Sequence, residues 1–356
     1  MTTSLLAASK SLRAAEIFAL AVAAIAVIGI IDHDTGQDLS VVLFYLLPIY
    51  LAAWYAGRGT GLVAAFTATI AWYLADWLPG PWTWRLVWNV AEKFSFFGLF
   101  AILAARLKRS AVAVYEQELG IARDVQRGLF PVDRPGVAGF DVAARLIPNR
   151  ALSGDYYDLF PRGGGFGLVM ADVMGKGLAA SLLTANLHAL LHFAELQSPL
   201  APPPALLDTI HRHLRLHSPG RYITLAMASF AIDDEAVTYA VAGHPPPLVW
   251  DGASVARLEA TGLPLGLLPE CRWTTKRAAF PPGALFVAYT DGVSEALDAA
   301  GNEYGIERIT QVVESLGRSG ATAEESIETL LAALRAWAGE TEWPDDIAVV
   351  AVRNCR

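Results

Sequence analysis

Four long apolar runs crowd the first third of the chain, and beyond them the pattern breaks into short strand-like and helix-like pieces. Residues 17–31, 39–57 and 59–75 carry no charged side chain, and a fourth run covers 87–107. Each approaches the roughly 17–25 residues that a helix needs to cross a bilayer. The flanking charges alternate. Lys10 and Arg13 precede the first run, the acidic DHD at 32–34 follows it, and Arg58 separates the second from the third. Asp76 and the tryptophans Trp77, Trp82 and Trp84 come next, and Arg106, Lys108 and Arg109 close the fourth run. The positive-inside rule therefore predicts a four-helix transmembrane domain over 1–107 in the inner (cytoplasmic) membrane. It is multi-pass and lipid-contacting, with the N-terminus and everything after 107 in the cytoplasm. A signal peptide would explain the first run but not the other three. A buried helical core in a soluble protein fits the alternating charges poorly. Asp76, Glu92 and Lys93 are the ionisable groups of this region; the outer interface, where charge costs little, is the expected place for them.

From 106 to 129 the periodicity turns amphipathic. Val112, Tyr115, Leu119, Ala122, Gln126 and Leu129 recur at spacings of 3 and 4 until Pro131 and Pro135 end the pattern. This predicts a linker and regulatory helix within 108–135, with a short heptad seam suited either to its own domain or to a homodimer contact through 106–130.

The remainder, 136–356, reads as a separate α+β domain. Strands are expected at 141–146, 166–172, 222–232, 236–241, 284–290 and 347–353, and helices at 179–195, 204–217, 305–316 and 324–337. Proline- and glycine-rich joints fall at 198–204, 243–247 and 280–283. Strands grouped with strands favour a layered sandwich over a doubly wound sheet.

Composition sharpens this division. The 356 residues, 54% hydrophobic and only 17% charged, suit two or three domains, with the apolar excess held in the first 107. A net charge of −8 speaks against a nucleic-acid partner. Cys271 and Cys355 are the only cysteines and lie far apart, which leaves no thiolate metal site and no disulfide framework.

The chemistry of the second domain rests on aspartates at strand ends and turns. Asp172 ends an apolar run in ADVMGKG (171–177), Asp291 ends another in YTDGVSEA (289–296), and Asp345 and Asp346 open the last strand. Asp155 and Asp158 sit in SGDYYD (153–158). Each alone is an ordinary turn residue. Brought together, they would repel one another and require divalent cations, and an all-oxygen donor set selects Mg2+ or Mn2+. Two such ions suit hydrolysis at phosphorus by water, with no nucleophilic side chain. The neighbouring GKG lacks the spacing of a phosphate-binding P-loop. A receiver domain would need an upstream acidic pair and a downstream lysine that are not evident.

In order, the segments EQELGIARDVQRGLFP (116–131), SGDYYD, ADVMGKGLAASLLTA (171–185), AGHPPPL (242–248), YTDGVSEA and DDIAVVAVR (345–353) resemble the SpoIIE-like (RsbU-like) branch of the PPM metal-dependent serine/threonine protein phosphatases, over about 116–353. The resemblance implies an αββα sandwich holding two Mn2+ or Mg2+ ions. Asp172 would bridge them with help from the Val173 carbonyl, Asp291 and Asp345 would complete the ligation, and Asp155 would contribute directly or through water. It implies hydrolysis of phosphoserine or phosphothreonine, typically on a STAS-domain anti-sigma-factor antagonist. Ser153 and Ala171 stand where many members have glycine. No arginine beside these motifs is assigned to phosphate, Lys176 is an open candidate, and His244 is read as a structural turn residue. A membrane-anchored module that captures the phosphoprotein without turnover is the alternative.

Overall fold

The computed structural model describes residues 2–35, 41–77, 84–131, 138–162, 164–197, 202–339 and 343–356. The chain divides into two compact units, Met1–Glu118 and Leu119–Arg356.

The first unit is helical. Helix α1 spans Thr2–Thr35. The run expected over 39–57 is not one regular helix: a 3-10 turn at Val42–Tyr45 leads into α2 (Leu46–Leu51), which relaxes into a wider π turn at Ala52–Ala56. Pro48 falls in the first turn of α2, where its missing N–H costs no hydrogen bond. Helix α3 covers Arg58–Trp77, and α4 runs without a break from Trp84 to Arg127. Small residues let these elements touch closely: a Cβ on Gly61 would lie 2.5 Å from that of Ala53. Tyr45, Ile49, Ala64, Ala68, Phe97 and Ala101 form the interior, while Leu20, Phe44, Phe66, Trp88 and Leu99 face outward. Among the described residues, Ala14–Thr35 and Trp84–Arg127 are long and apolar enough to cross a membrane, and Val42–Ala56 is apolar but shorter. Asp32 is buried and accepts a hydrogen bond from the Tyr45 hydroxyl at 3.2 Å. Glu92 is exposed and Lys93 lies 5.6 Å from the centre of the Trp72 ring. The Asp76 and Trp77 side chains and Trp82 lie outside the described residues.

The second unit is built on two five-stranded antiparallel sheets. One contains β1 (Phe140–Ile147), β6 (Leu248–Trp250), β7 (Val255–Arg257), β9 (Leu285–Tyr289) and β10 (Ile347–Asn354), in the order β1-β10-β9-β6-β7. The other contains β2 (Asp155–Arg162), β3 (Gly165–Val173), β4 (Ile223–Ala231), β5 (Ala236–Ala242) and β8 (Lys276–Ala279), in that order. Side chains alternate between faces along each strand. Phe166, Leu168 and Met170 of β3 thus meet Phe286, Ala288, Val350 and Val352 in the layer between the sheets. The opposite face of the second sheet, with Val169, Ala171 and Val173, packs under α5 (Leu178–Gln197) and α6 (Pro203–His217). The opposite face of the first sheet packs under α8 (Ile306–Ser319) and α9 (Ala323–Ala338) through Ile309, Val313, Ile327 and Leu334. A capping box between Thr322 and Glu325 starts α9. The layers are α, β, β, α, the sandwich expected from the sequence. A four-residue helix, α7 (Asp291–Ser294), follows β9 directly.

Candidate metal centre

The strand ends decide where the acids go. Register places Asp155, the first residue of β2, opposite Asp172 near the end of β3, and Thr224 of β4 on the other side of Asp172. Opposed residues share a face, and Asp155 and Asp172 belong to the alternation whose other members, Tyr157, Leu159, Leu168 and Met170, fill the space between the sheets. From the other sheet, Thr290 closes the gap: its hydroxyl accepts from the Ala348 N–H at 2.9 Å and donates to Asp155 Oδ2 at 2.6 Å. Asp291 follows Thr290 as the first residue of α7. The glycine after it is a steric requirement, since a Cβ at Gly292 would sit 1.9 Å from the Asp346 carbonyl oxygen. That close approach brings the Asp291 turn against the Asp345–Asp346 pair.

Asp345 and Asp346 take different partners. Asp346 accepts from the Asn149 N–H at 2.7 Å, the Ser153 hydroxyl at 2.9 Å and the Gly154 N–H at 2.8 Å. It is an internal clamp on the turn before Asp155. Asp345 faces Lys176, whose ammonium lies 2.8 Å from Oδ2 and 3.2 Å from the Pro344 carbonyl. Val173, the remaining sequence candidate, donates its N–H to the Gly154 carbonyl at 3.3 Å. A Cβ at Gly154 would lie 3.1 Å from the Val173 carbonyl oxygen, so small residues at 154 and 175 keep this corner accessible to backbone oxygens.

The electrostatics are those of crowded acids. Burial, then repulsion from Asp291, Asp345 and Asp346, pushes Asp172 up to about 7. Burial likewise raises Asp155 well above the carboxylate range, against the opposing Thr290 hydrogen bond, and Asp291 is raised by burial and by Asp345. Carboxylates in such a place keep their charge only beside a cation. The donor set of Asp155, Asp172, Asp291 and Asp345 is entirely oxygen, so the residues fit hard divalent ions of the Mg2+ or Mn2+ kind.

Three placements follow from the fold and not from the sequence pattern. Asp158 points away from this centre: its β3 partner is Val169 on the helix-covered face, and its carboxylate meets His188 and His192 of α5. Arg221, in the loop before β4, reaches the glycine loop, with a guanidinium nitrogen 3.2 Å from where a Gly175 Cβ would be. Its one sequence signal is a place at the start of the strand that pairs with the Asp172 strand. Gln126, near the end of α4, donates from Nε2 to the Ser153 carbonyl at 2.7 Å and accepts the Ser153 N–H at 3.1 Å. His244 is buried in the turn after β5, pairs through Nδ1 with the Thr224 hydroxyl at 2.8 Å, and is lowered to about 3 by burial. It is therefore neutral, as a structural residue would be.

The family model described as Stage II sporulation protein E (SpoIIE) matches residues 162–354. The phosphoserine phosphatase RsbU of Bacillus subtilis is 28% identical over 183 residues, covering 51% of this chain and 54% of RsbU. Protein IcfG of Synechocystis is 24% identical over 264 residues, 66% of this chain and 41% of that protein. The chain thus spans about half the length of the curated relatives it matches. Among solved structures, the SiaA-PP2C domain of Pseudomonas aeruginosa superposes with a TM-score of 0.61 at 21% identity, covering 68% of this chain and 98% of that domain. The PP2C phosphatase domain of SpoIIE from Bacillus subtilis, with a fragment of its regulatory domain, gives a TM-score of 0.52 at 20% identity, covering 60% of this chain and 62% of that one. The second unit has the PP2C-type fold.

Proposed function

The chain belongs to the SpoIIE family, and from that membership we propose that it is a membrane-anchored, metal-dependent phosphatase acting on phosphoserine or phosphothreonine in a protein. The observation that carries the reading is the convergence of Asp155 and Asp172 from one sheet with Asp291 and Asp345 from the other. Their oxygens, with the Val173 carbonyl, would hold two divalent cations, Mn2+ or Mg2+. When bound, these ions supply Lewis acidity toward water and the phosphoryl group. The chain's own residues do the rest. Thr290 fixes one Asp155 oxygen, Asp346 holds the turn that presents Asp155, and Arg221 beside the glycine loop is placed to grip phosphate with a planar, permanently charged fork. Lys176 balances Asp345 and competes with a cation for it.

The proposed substrate is a small phosphorylated STAS-domain protein of a sigma-factor partner switch. That choice rests on the sequence resemblance and on two relatives, RsbU and RsbP, that carry the name phosphoserine phosphatase. Residues 1–107 are proposed as a four-helix membrane sensor with the phosphatase domain at 136–356 on the cytoplasmic side, and 108–135 as the regulatory linker. The apolar surface of the helices and the flanking charges support this. The helix at 106–130 is the proposed homodimer contact and the route by which a signal reaches the site: Val112 and Tyr115 of its seam are exposed, while Gln126 holds the turn before Asp155.

The test follows phosphate release from a phosphoserine STAS-domain protein by the full-length chain in detergent, with Mn2+ and with EDTA. Mn2+-dependent release that disappears in Asp172→Asn is the expected result. Tight binding of the phosphoprotein without release would establish the capture module instead.

A further inference from the structure

Asp158, His188 and His192 form a second cluster of ligand-type side chains, on the face of the second sheet turned away from the aspartate centre. The strand alternation that carries Asp155 inward carries Asp158 outward, because the two are three residues apart. On α5, His188 and His192 are one turn apart on the same side, and their rings lie 4.2 Å centre to centre. One ligand atom from each of the three residues falls within 4.8 Å of the other two. His192 Nε2 is 2.7 Å and His188 Nδ1 is 3.7 Å from Asp158 Oδ2. The ligands of a tetrahedral ion with bonds of about 2.0–2.1 Å lie about 3.3 Å apart, between those two spacings.

We propose that Asp158, His188 and His192 form a separate binding site for one transition-metal dication of the Zn2+ type, which fastens α5 to β2. The chemistry separates it from the aspartate centre: two imidazole nitrogens and one carboxylate select a borderline ion such as Zn2+, whereas four aspartates select Mg2+ or Mn2+. The carboxylate is already held for the task. Its Oδ1 accepts the Leu159 N–H at 2.8 Å, which leaves Oδ2 toward the imidazoles; the buried Tyr156 hydroxyl donates to Oδ2 at 2.7 Å and lies 2.8 Å from His188 Nδ1, a contact that an ion bound at Nδ1 replaces. Such outer hydrogen bonds orient metal ligands and raise their basicity. The Asp158 side chain is 4% exposed and that of His192 is 46% exposed, so the cluster has a fixed floor and an open side where water can complete the coordination. The two elements joined both lead to the catalytic face: β2 begins at Asp155, and α5 begins just after the ADVMGKG loop.

The test uses the full-length protein in detergent, stripped with chelator and then titrated with Zn2+; bound zinc is counted after gel filtration, and Co2+ serves as a spectroscopic probe. Wild type and Asp172→Asn are expected to retain a zinc ion that the His188→Gln/His192→Gln double variant binds at least about tenfold more weakly. The visible Co2+ absorption of a low-coordinate nitrogen-ligated site should follow the same pattern. Asp158→Asn, which retains an acceptor for Tyr156, should lose zinc as well, and Mn2+-dependent phosphate release by the double variant would show that it is folded. Equal zinc retention and the same Co2+ spectrum in wild type and the double variant would overturn the proposal. So would a wild type that retains no zinc, or an Asp172→Asn variant that loses all of it.

Discussion

Asp155 and Asp172 face each other across the β2–β3 ladder as direct register partners, both directed between the sheets. Like charges in opposed positions destabilise a sheet, and here burial removes the water that would screen them. Neutralising one acid should therefore relieve the metal-free protein while abolishing its use of metal. Asp172→Asn is expected to lower Mn2+-dependent phosphate release by more than about a hundredfold, since even outer-shell losses at metal sites cost 10–100-fold. In EDTA the same variant should be as stable as wild type, or more stable by up to about 1 kcal/mol. Thermal unfolding with and without Mn2+ checks this. Wild type should be stabilised by the metal, by about 2.7 kcal/mol at a hundred times the dissociation constant, and the variant should respond far less.

Gly292 is where the ends of β9 and β10, neighbours in one sheet, come close enough to set Asp291 beside Asp345. Its hypothetical Cβ, 1.9 Å from the Asp346 carbonyl oxygen, has no room unless the start of β10 moves. Gly292→Ala should cost about 1–3 kcal/mol, in the range of other overpacked positions, and should weaken Mn2+ binding because Asp291 and Asp345 move apart. Gly120→Ala, with nothing within 4 Å on α4, is the control and should leave stability unchanged or slightly raised. Melting curves of both variants with titrated Mn2+ separate the two effects.

Much of this arrangement is legible in the amino-acid sequence, and what is not legible is hidden for physical reasons. Strands β3, β4, β9 and β10 are nearly continuous apolar runs buried on both faces, so their composition reveals them. Strand β2 is not among the expected strands, because DYYDLFPR carries two acids and a proline and reads as a turn. Without β2 there is no register to separate Asp155 from Asp158, and only the family resemblance favours Asp155; in the sheet the two face opposite layers. Strands β6, β7 and β8 have three or four residues, too short for any period to show. Arg106, Lys108 and Arg109 look like the end of a segment only if charge is taken as a boundary; they are good helix formers, and α4 passes through them. Arg221 lies far along the chain from Asp172, and only pairing of β3 with β4 brings its loop beside Gly175.

Gln126 exchanges two hydrogen bonds with the backbone of Ser153, two residues before Asp155. Gln126→Ala leaves a buried N–H and carbonyl without those partners, at a cost of about 1–3 kcal/mol. If this bond pair carries a signal to the centre, the variant should raise the Mn2+ concentration needed for half-maximal phosphate release several-fold. Gln126→Glu, which can accept but not donate, should fall between wild type and alanine. Activity measured against Mn2+ concentration is the readout.

Arg221 should act on substrate rather than on metal. Its guanidinium stands over the glycine loop and outside the set of oxygen donors. Arg221→Gln is therefore expected to raise KM for the phosphoprotein about tenfold, with a smaller change in kcat and an unaltered Mn2+ requirement. Arg221→Lys keeps the charge but loses the planar fork and should recover only part of the effect. Steady-state kinetics at saturating Mn2+ measure this split, and a change in kcat alone would move Arg221 out of substrate binding.

His244 supplies the pH dependence of the fold. Buried and lowered to about 3, against 6.5 for an unperturbed histidine, it stays neutral in the native state while the unfolded chain takes up a proton. Between those values the unfolded state binds more protons, so stability rises with pH. Its contribution is fully present above pH 6.5 and is lost as the pH falls toward 3, with a slope of at most about 1.4 kcal/mol per pH unit. His244→Asn removes this titration, so the melting temperature of wild type should fall more steeply than that of the variant between pH 6.5 and 4.5. Phosphate release at neutral pH should survive the substitution if His244 is the neutral support of Thr224, the neighbour of Asp172 across β3 and β4. A loss of activity there without loss of stability would instead give His244 a part in proton transfer.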